Sequence, residues 1–120
     1  MLLAFFPLAF TSTCTAELCD MRDDYDGFQR AGVTVCPISV DSVATLREFK
    51  QKLHLEVDLI SDFKRDASRR YGTLLEDRFY SNRAYFLVDA GGVIRWAHVE
   101  ANPGQRRQNS EIFSEISKLR

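Results

Sequence analysis

The chain has 120 residues and a formal net charge of −1, with basic and acidic residues nearly balanced and interspersed. That length suits one domain with a single core, and that charge provides no field for nucleic acid or an anionic membrane; the Arg106-Arg107 pair reads as a solvated loop end. Three cysteines without a spaced framework argue against a secreted disulfide scaffold and fit reduced thiols in a cytosol, and neither His54 nor His98 lies near a cysteine pair as a zinc site requires.

Leu2–Phe6 is a continuous apolar run and reads as a strand buried on both faces of a mostly parallel sheet. No Lys or Arg precedes it and no small-residue cleavage site follows, so it does not read as an export signal. Thr11-Ser-Thr before Cys14 is a poor lipoprotein box, and the run is too short to span a bilayer. From Thr13 to about Arg30, Leu18, Met21, Tyr25 and Phe28 fall at helical spacing, and Gly32 supplies the stop. Val33–Val40 is a second apolar strand, in which Pro37 argues against full ladder pairing. Asp41-Ser42 caps a helix with Val43, Leu46, Phe49 and Leu53 on its inner face. Val57–Ile60 reads as a short strand and Lys64–Tyr71 as a short helix ending at Gly72. Arg83–Asp89 and Val93–Val99 flank Ala90-Gly91-Gly92 as a hairpin. Asn109–Leu119 closes the chain as an amphipathic helix with Ile112, Ile116 and Leu119 facing in. That order, βαβαβαββα, is an α/β sheet with a terminal antiparallel hairpin.

The chemistry concentrates at Pro7-Leu-Ala-Phe-Thr11-Ser-Thr-Cys14, where a strand gives way to a helix. A cysteine in the first helical turn has orphan backbone N–H groups and the positive dipole end aimed at its sulfur, which favours the thiolate. A hydroxyl three residues earlier and a proline seven residues earlier can shape a small pocket over that sulfur. Singly, each residue has an ordinary reading. Thr11 is a cap, Pro7 a loop residue, Arg83 a solvated strand start, and Glu17 a first-turn acid complementing the dipole. Their joint spacing and order favour a site.

The pattern Pro-x3-Thr-x2-Cys resembles the active-site signature of the peroxiredoxins, the AhpC/TSA family of thiol peroxidases. Leu3-Ala-Phe-Phe-Pro-Leu-Ala-Phe-Thr-x-x-Cys-x-x-Glu17-Leu18 and Asn82-Arg83-x-x-Phe86-x-Val88-Asp89-x-x-Gly92-x-Ile94-Arg95 resemble the AhpE-type one-cysteine subgroup, and Ile38-Ser39-Val40-Asp41-Ser42 is a weaker match. The likeness covers essentially the whole chain. It implies a thioredoxin-like fold of peroxiredoxin type, in a single domain over 1–120 that is N-terminally shortened relative to the family pattern. The hairpin and edge strand that usually precede the first strand are missing here, which reads either as a fragment or misplaced start or as a fold that does without them. It also implies reduction of hydrogen peroxide and organic hydroperoxides through a cysteine sulfenic acid, without cofactor or metal. The peroxidatic sulfur is then Cys14, with Thr11 placing its hydroxyl toward the peroxide and Pro7 keeping bulk water off the sulfur. Arg83 offers a planar fork of donors to thiolate and peroxide, and Glu17 orders the polar groups around it. The implied partners are a hydroperoxide and a thiol reductant, either a thioredoxin-like protein or a small thiol. A homodimer stays open, no nucleic acid or membrane is involved, and the location is cytoplasmic.

Cys19 stands five residues after Cys14, the spacing of the two reactive cysteines in PrxQ/BCP-type peroxiredoxins. On an ideal helix five residues give about 7.5 Å of rise and about 140° of rotation, roughly 8–9 Å between Cα atoms, against a disulfide limit of ~7 Å. Bridging therefore needs the first turn to unwind. The same wheel places Cys19 on the polar side beside Arg22 and Asp26, so it is either a resolving cysteine or an incidental surface thiol. Cys36, inside an apolar strand, reads as core. A thioredoxin-type reductase is disfavoured because Cys14-Thr-Ala-Glu is not Cys-x-x-Cys. A redox sensor without turnover, or an inactive interaction domain, would keep the same architecture.

Overall fold

The computed structural model describes residues 1–119. Its elements in chain order are β1 (Leu2–Phe5), α1 (Ser12–Asp23), α2 (Tyr25–Arg30), β2 (Val35–Ser39), α3 (Val43–Leu53), β3 (Ile60–Ser61), α4 (Asp66–Arg70), β4 (Leu74–Leu75), β5 (Tyr80–Ser81), β6 (Ala84–Val88), β7 (Ile94–Val99) and α5 (Asn109–Lys118). Five strands form one sheet in the order β3-β2-β1-β6-β7, and β4 and β5 make a separate small hairpin. β1 is central: Leu3 pairs with Cys36 of the parallel β2 on one side and with Phe86 of the antiparallel β6 on the other. All four of its residues are buried, as its unbroken apolar run anticipates.

Strand alternation divides the core into two layers. Leu2, Ala4 and Phe6 pack with Leu18 and Met21 of α1, Leu46 and Phe49 of α3, and Ile112 and Ile116 of α5. Leu3 and Phe5 face the other way with Ile38 and Phe86, against Ala67 and Tyr71 at α4. Each such side chain contributes on the order of 1.5–3 kcal/mol when fully buried, so this double-sided strand is the rigid element on which the following loop is mounted.

Several sequence expectations are refined. The helix expected from Thr13 to Arg30 breaks at Asp24, whose ψ of 17° leaves the helical region. Asn109 at the start of α5 donates from Nδ2 to the Asp20 carbonyl at 2.9 Å and to Asp24 Oδ2 at 2.7 Å, holding the break. At the end of α2, Gly32 takes a φ of 73°, and Val33 N–H reaches back to the Phe28 carbonyl at 3.0 Å, closing the helix as the glycine implied.

Pro37 sits inside β2 and pairs in register with Ala4. Leu2 N–H to the Thr34 carbonyl and Phe6 N–H to the Ile38 carbonyl show that even-numbered residues of β2 bond to β1. The missing N–H of Pro37 therefore faces β3, whose ladder begins only at Ile38–Ile60. β3 itself is shorter and later than the expected Val57–Ile60. Val57 and Leu59 pack against the core from the loop, and only Ile60 and Ser61 reach β2. Val43 and Leu119, expected to face in, are exposed, Val43 as the first residue of α3 and Leu119 one residue past the end of α5. The β4–β5 hairpin was not anticipated.

Candidate active site

The chain leaves β1 through Phe6, whose N–H still bonds to the Ile38 carbonyl at 2.9 Å, and Pro7 then stops the ladder because it has no donor. Asp41 ties the next residues down. Its Oδ2 accepts the Ala9 N–H at 2.8 Å and the Ser39 hydroxyl at 2.7 Å. Phe10 follows in the left-handed region, with φ 67°. Thr11 is extended (φ −90°, ψ 155°) and starts α1, its carbonyl accepting the first helical bond from Thr15 N–H at 2.9 Å. The amides of Ser12, Thr13 and Cys14 precede that ladder and point out of the helix start. The Thr11 hydroxyl does not cap the helix. It donates to the Leu8 carbonyl at 2.7 Å, which leaves its lone pairs as acceptors.

Cys14 is 1 % exposed, and its sulfur accepts a hydrogen bond from Arg83 Nη2 at 3.1 Å. Arg83 is equally buried. It donates from Nη1 to Glu17 Oε1 at 2.8 Å, and from Nη2 and Nε to the Pro103 carbonyl at 3.1 and 3.3 Å. Its own N–H donates to Asn82 Oδ1 at 2.9 Å, and Asn82 Nδ2 holds the Glu100 carbonyl at 2.7 Å. Glu17, one helical turn after Cys14, completes its bonding by accepting the Tyr85 hydroxyl on Oε2. A guanidinium from more than sixty residues along the chain thus joins the sulfur and carboxylate of one helical turn. An open pocket of about 210 Å³ lies over the sulfur, walled by Pro7, Leu8, Thr11, Tyr80, Arg83 and Pro103.

Burial raises the Glu17 carboxyl above its ordinary value, although Arg83 and Tyr85 pull it back. Burial alone would lower Arg83, but Glu17 and the Cys14 sulfur outweigh it and the guanidinium is held charged. Burial and the neighbouring Glu17 raise the Tyr85 phenol, which keeps its proton. A raised carboxyl has a stability signature. Below the ordinary value of 4.5 Glu17 is protonated whether folded or unfolded. As pH rises through that value the unfolded chain ionises first, so stability falls until the raised value is passed. Glu17→Gln cannot ionise. Its unfolding midpoint relative to wild type is therefore expected to climb as pH increases from below 4.5 toward neutral. Thermal unfolding of both proteins across that range checks this; a flat difference would show that Glu17 ionises in the fold as freely as in water, and a shrinking one that the fold favours its ionisation.

Of the residues singled out by sequence, the structure brings Pro7, Thr11, Cys14 and Arg83 to one pocket and sets Glu17 directly behind Arg83. Cys19 is outside that pocket. It lies on the same continuous helix as Cys14 and is half-buried rather than fully on a polar surface. Asp26, expected beside it, belongs to α2 beyond the break. Cys36 is also only half-buried, packed against the second core layer, where burial raises its thiol. Sequence reasoning missed Tyr85, Tyr80 and the Pro103 carbonyl. Tyr85 had a signal, since residues 83 and 85 of an extended segment share a face. The Pro103 contact had none, because it is made by backbone.

Among the described residues no helix is long and apolar enough to cross a membrane, and no group of three or more His, Cys, Asp or Glu side chains could hold a metal ion. The AhpC/TSA family model matches residues 1–97. The chain is 34% identical over 110 residues to the putative peroxiredoxin bcp of Coxiella burnetii, covering 85% of this chain and 73% of that protein. It is 36% identical over 109 residues to alkyl hydroperoxide reductase E of Mycobacterium tuberculosis, covering 89% and 71%. The reduced 2-Cys peroxiredoxin of Plasmodium vivax superposes with a TM-score of 0.92 at 30% identity, over 98% of this chain and 64% of that one. Enterococcus faecalis AhpC superposes equally well, at 23% identity over 98% and 72%, which speaks to the fold.

Proposed function

The chain belongs to the AhpC/TSA family and is a thiol-dependent peroxidase working through a cysteine; on that premise we propose that Cys14 is its peroxidatic sulfur, with Arg83, Thr11 and Pro7 completing the site. The observation carrying this reading is the 3.1 Å contact of Arg83 Nη2 with the Cys14 sulfur, between two residues that are each 1 % exposed. The sulfur attacks one peroxide oxygen, an S–O bond forms as the O–O bond breaks, and the departing oxygen takes a proton to leave as water or alcohol. Cys14 becomes a sulfenic acid. Arg83 and the α1 amides meet the charge that shifts from sulfur to oxygen. The Thr11 oxygen, its proton committed to Leu8, accepts from the hydroperoxide O–H. Pro7 closes one wall against water, and Glu17 steadies Arg83 from behind.

The pocket holds several times the roughly 30 Å³ share of a water molecule. Room for a substituent and the apolar walls Leu8, Tyr80 and Pro103 support organic hydroperoxides beside hydrogen peroxide. A thiol reductant, protein or small molecule, returns the sulfur to its reduced state. Three free cysteines fit a reducing, cytoplasmic setting. The open edge of β7, with Ile94 and Val99 exposed, supports pairing with a second copy.

Cys19 is the proposed resolving cysteine. Both sulfurs ride on one unbroken helix, so the bridge requires the first turn of α1 to open. One equivalent of peroxide is expected to oxidise Cys14 first and then yield a Cys14–Cys19 disulfide, with loss of helicity by circular dichroism. Peptide mapping and intact mass follow both steps. Oxidation confined to Cys19 or Cys36 would remove Cys14 from its role. A persistent sulfenic acid on Cys14 without an internal bridge would instead make this a one-cysteine enzyme.

A further inference from the structure

Tyr85 is completely buried behind the reacting groups, on the face of the segment that also carries Arg83. Its oxygen accepts the backbone N–H of Arg107 at 3.0 Å. That amide is itself held, because the Arg107 side chain is anchored to buried Glu100 at 3.0 Å. With an acceptor position occupied by Arg107, the phenol directs its one proton to Glu17 Oε2. Glu17 therefore meets Arg83 through Oε1 alone, and Arg83 keeps Nη2 on the Cys14 sulfur.

We propose that Tyr85 is a positioning residue of the peroxidase: by occupying Glu17 Oε2 it prevents the carboxylate from gripping both Arg83 nitrogens, and so leaves one nitrogen for the sulfur and the peroxide. Carboxylate and guanidinium prefer the two-bond fork when nothing else claims their atoms. A buried carboxylate oxygen that loses its donor has a strong reason to find another. Without the phenol, the second terminal nitrogen of the same guanidinium can serve as that donor, and moving it uncovers the sulfur. The inference rests on Cys14 and Arg83 being the reacting pair proposed above.

Tyr85→Phe removes the hydroxyl and keeps the ring stacked 6.4 Å from Trp96. Its second-order rate constant for peroxide is expected to fall at least about tenfold, while alkylation of Cys14 by iodoacetamide at the same pH falls far less. Alkylation needs the thiolate but not an aligned O–O bond. Tyr71→Phe, which loses a phenol against Phe5 and Phe86 on the opposite face of the sheet, is expected to leave both rates unchanged. Because Tyr85 acts through Glu17, adding Tyr85→Phe to Glu17→Gln should slow peroxide reduction little further. This last comparison also decides the matter if Tyr85→Phe alone does not fold, since a neutral amide tolerates losing its donor better than a carboxylate does. A wild-type peroxide rate in Tyr85→Phe, equal losses in peroxide reduction and alkylation, or full additivity with Glu17→Gln would each overturn the inference. If Cys14→Ser still consumed peroxide, the underlying site would fall as well; if it were inactive and Tyr85→Phe unimpaired, only the role of Tyr85 would.

Discussion

Cys14→Ser is expected to abolish peroxide consumption, while Cys36→Ser retains most of it. The contrast follows from surroundings, since all three cysteines are free. Cys14 lies in the first turn of α1, in hydrogen-bond contact with a guanidinium and open to a pocket. Cys36 lies in β2, where burial holds its thiol protonated and no cation donates to it among the described residues. A serine hydroxyl at position 14 fits the space but is not ionised near neutral pH, so the nucleophile is lost without a packing defect. Peroxide consumption with excess small thiol, read beside an unfolding curve for each variant, tests this. Comparable losses in both variants would place the nucleophile elsewhere.

Arg83→Lys is expected to slow peroxide reduction at least about tenfold, equivalent to about 1.4 kcal/mol of transition-state stabilisation. Charge is conserved in this variant; geometry is not. Arg83 bonds Glu17, Cys14 and the Pro103 carbonyl from three nitrogens of one rigid plane. A lysine has one nitrogen on a flexible stem, and the Glu17 carboxylate competes for it directly. Alkylation of Cys14 by iodoacetamide is expected to decline much less than peroxide reduction. Stopped-flow Trp96 fluorescence, set against alkylation rates, separates the two effects. Wild-type peroxide kinetics in the lysine variant would show that the fork is not used.

The parts of the site legible in the sequence are those written in side chains at short spacing. Pro7, Thr11, Cys14 and Glu17 lie within three turns of chain, and their order survives in the fold because β1 and α1 are both local structures. Arg83 was legible through its neighbours Asn82 and Phe86 in a resembling segment, although nothing local says it should be buried. What stayed hidden depends on tertiary partners. The break at Asp24 is held by Asn109, 85 positions away. Tyr85 looks like any aromatic of a buried strand until Glu17 is seen opposite its hydroxyl. β4 and β5 are two residues each, below the length at which alternation is a signal. Leu119 continued the inward stripe of α5 on paper, but its helix ends one residue earlier and leaves it facing water.

The sulfur and its guanidinium are 69 residues apart in sequence, and the carboxylate and guanidinium 66. Contacts so distant close large loops and form only when the chain between them is folded. During synthesis Cys14 emerges 69 residues ahead of Arg83 and further still ahead of Pro103, so it is first exposed with neither beside it. On the proposed assignment the nascent thiol is then an ordinary cysteine, and its peroxide reactivity is expected only once Arg83 and Pro103 have docked around it. The proposed site thus makes peroxide reactivity a property of the finished fold: a ribosome-stalled chain ending before Asn82 is expected to react with peroxide no faster than a free thiol.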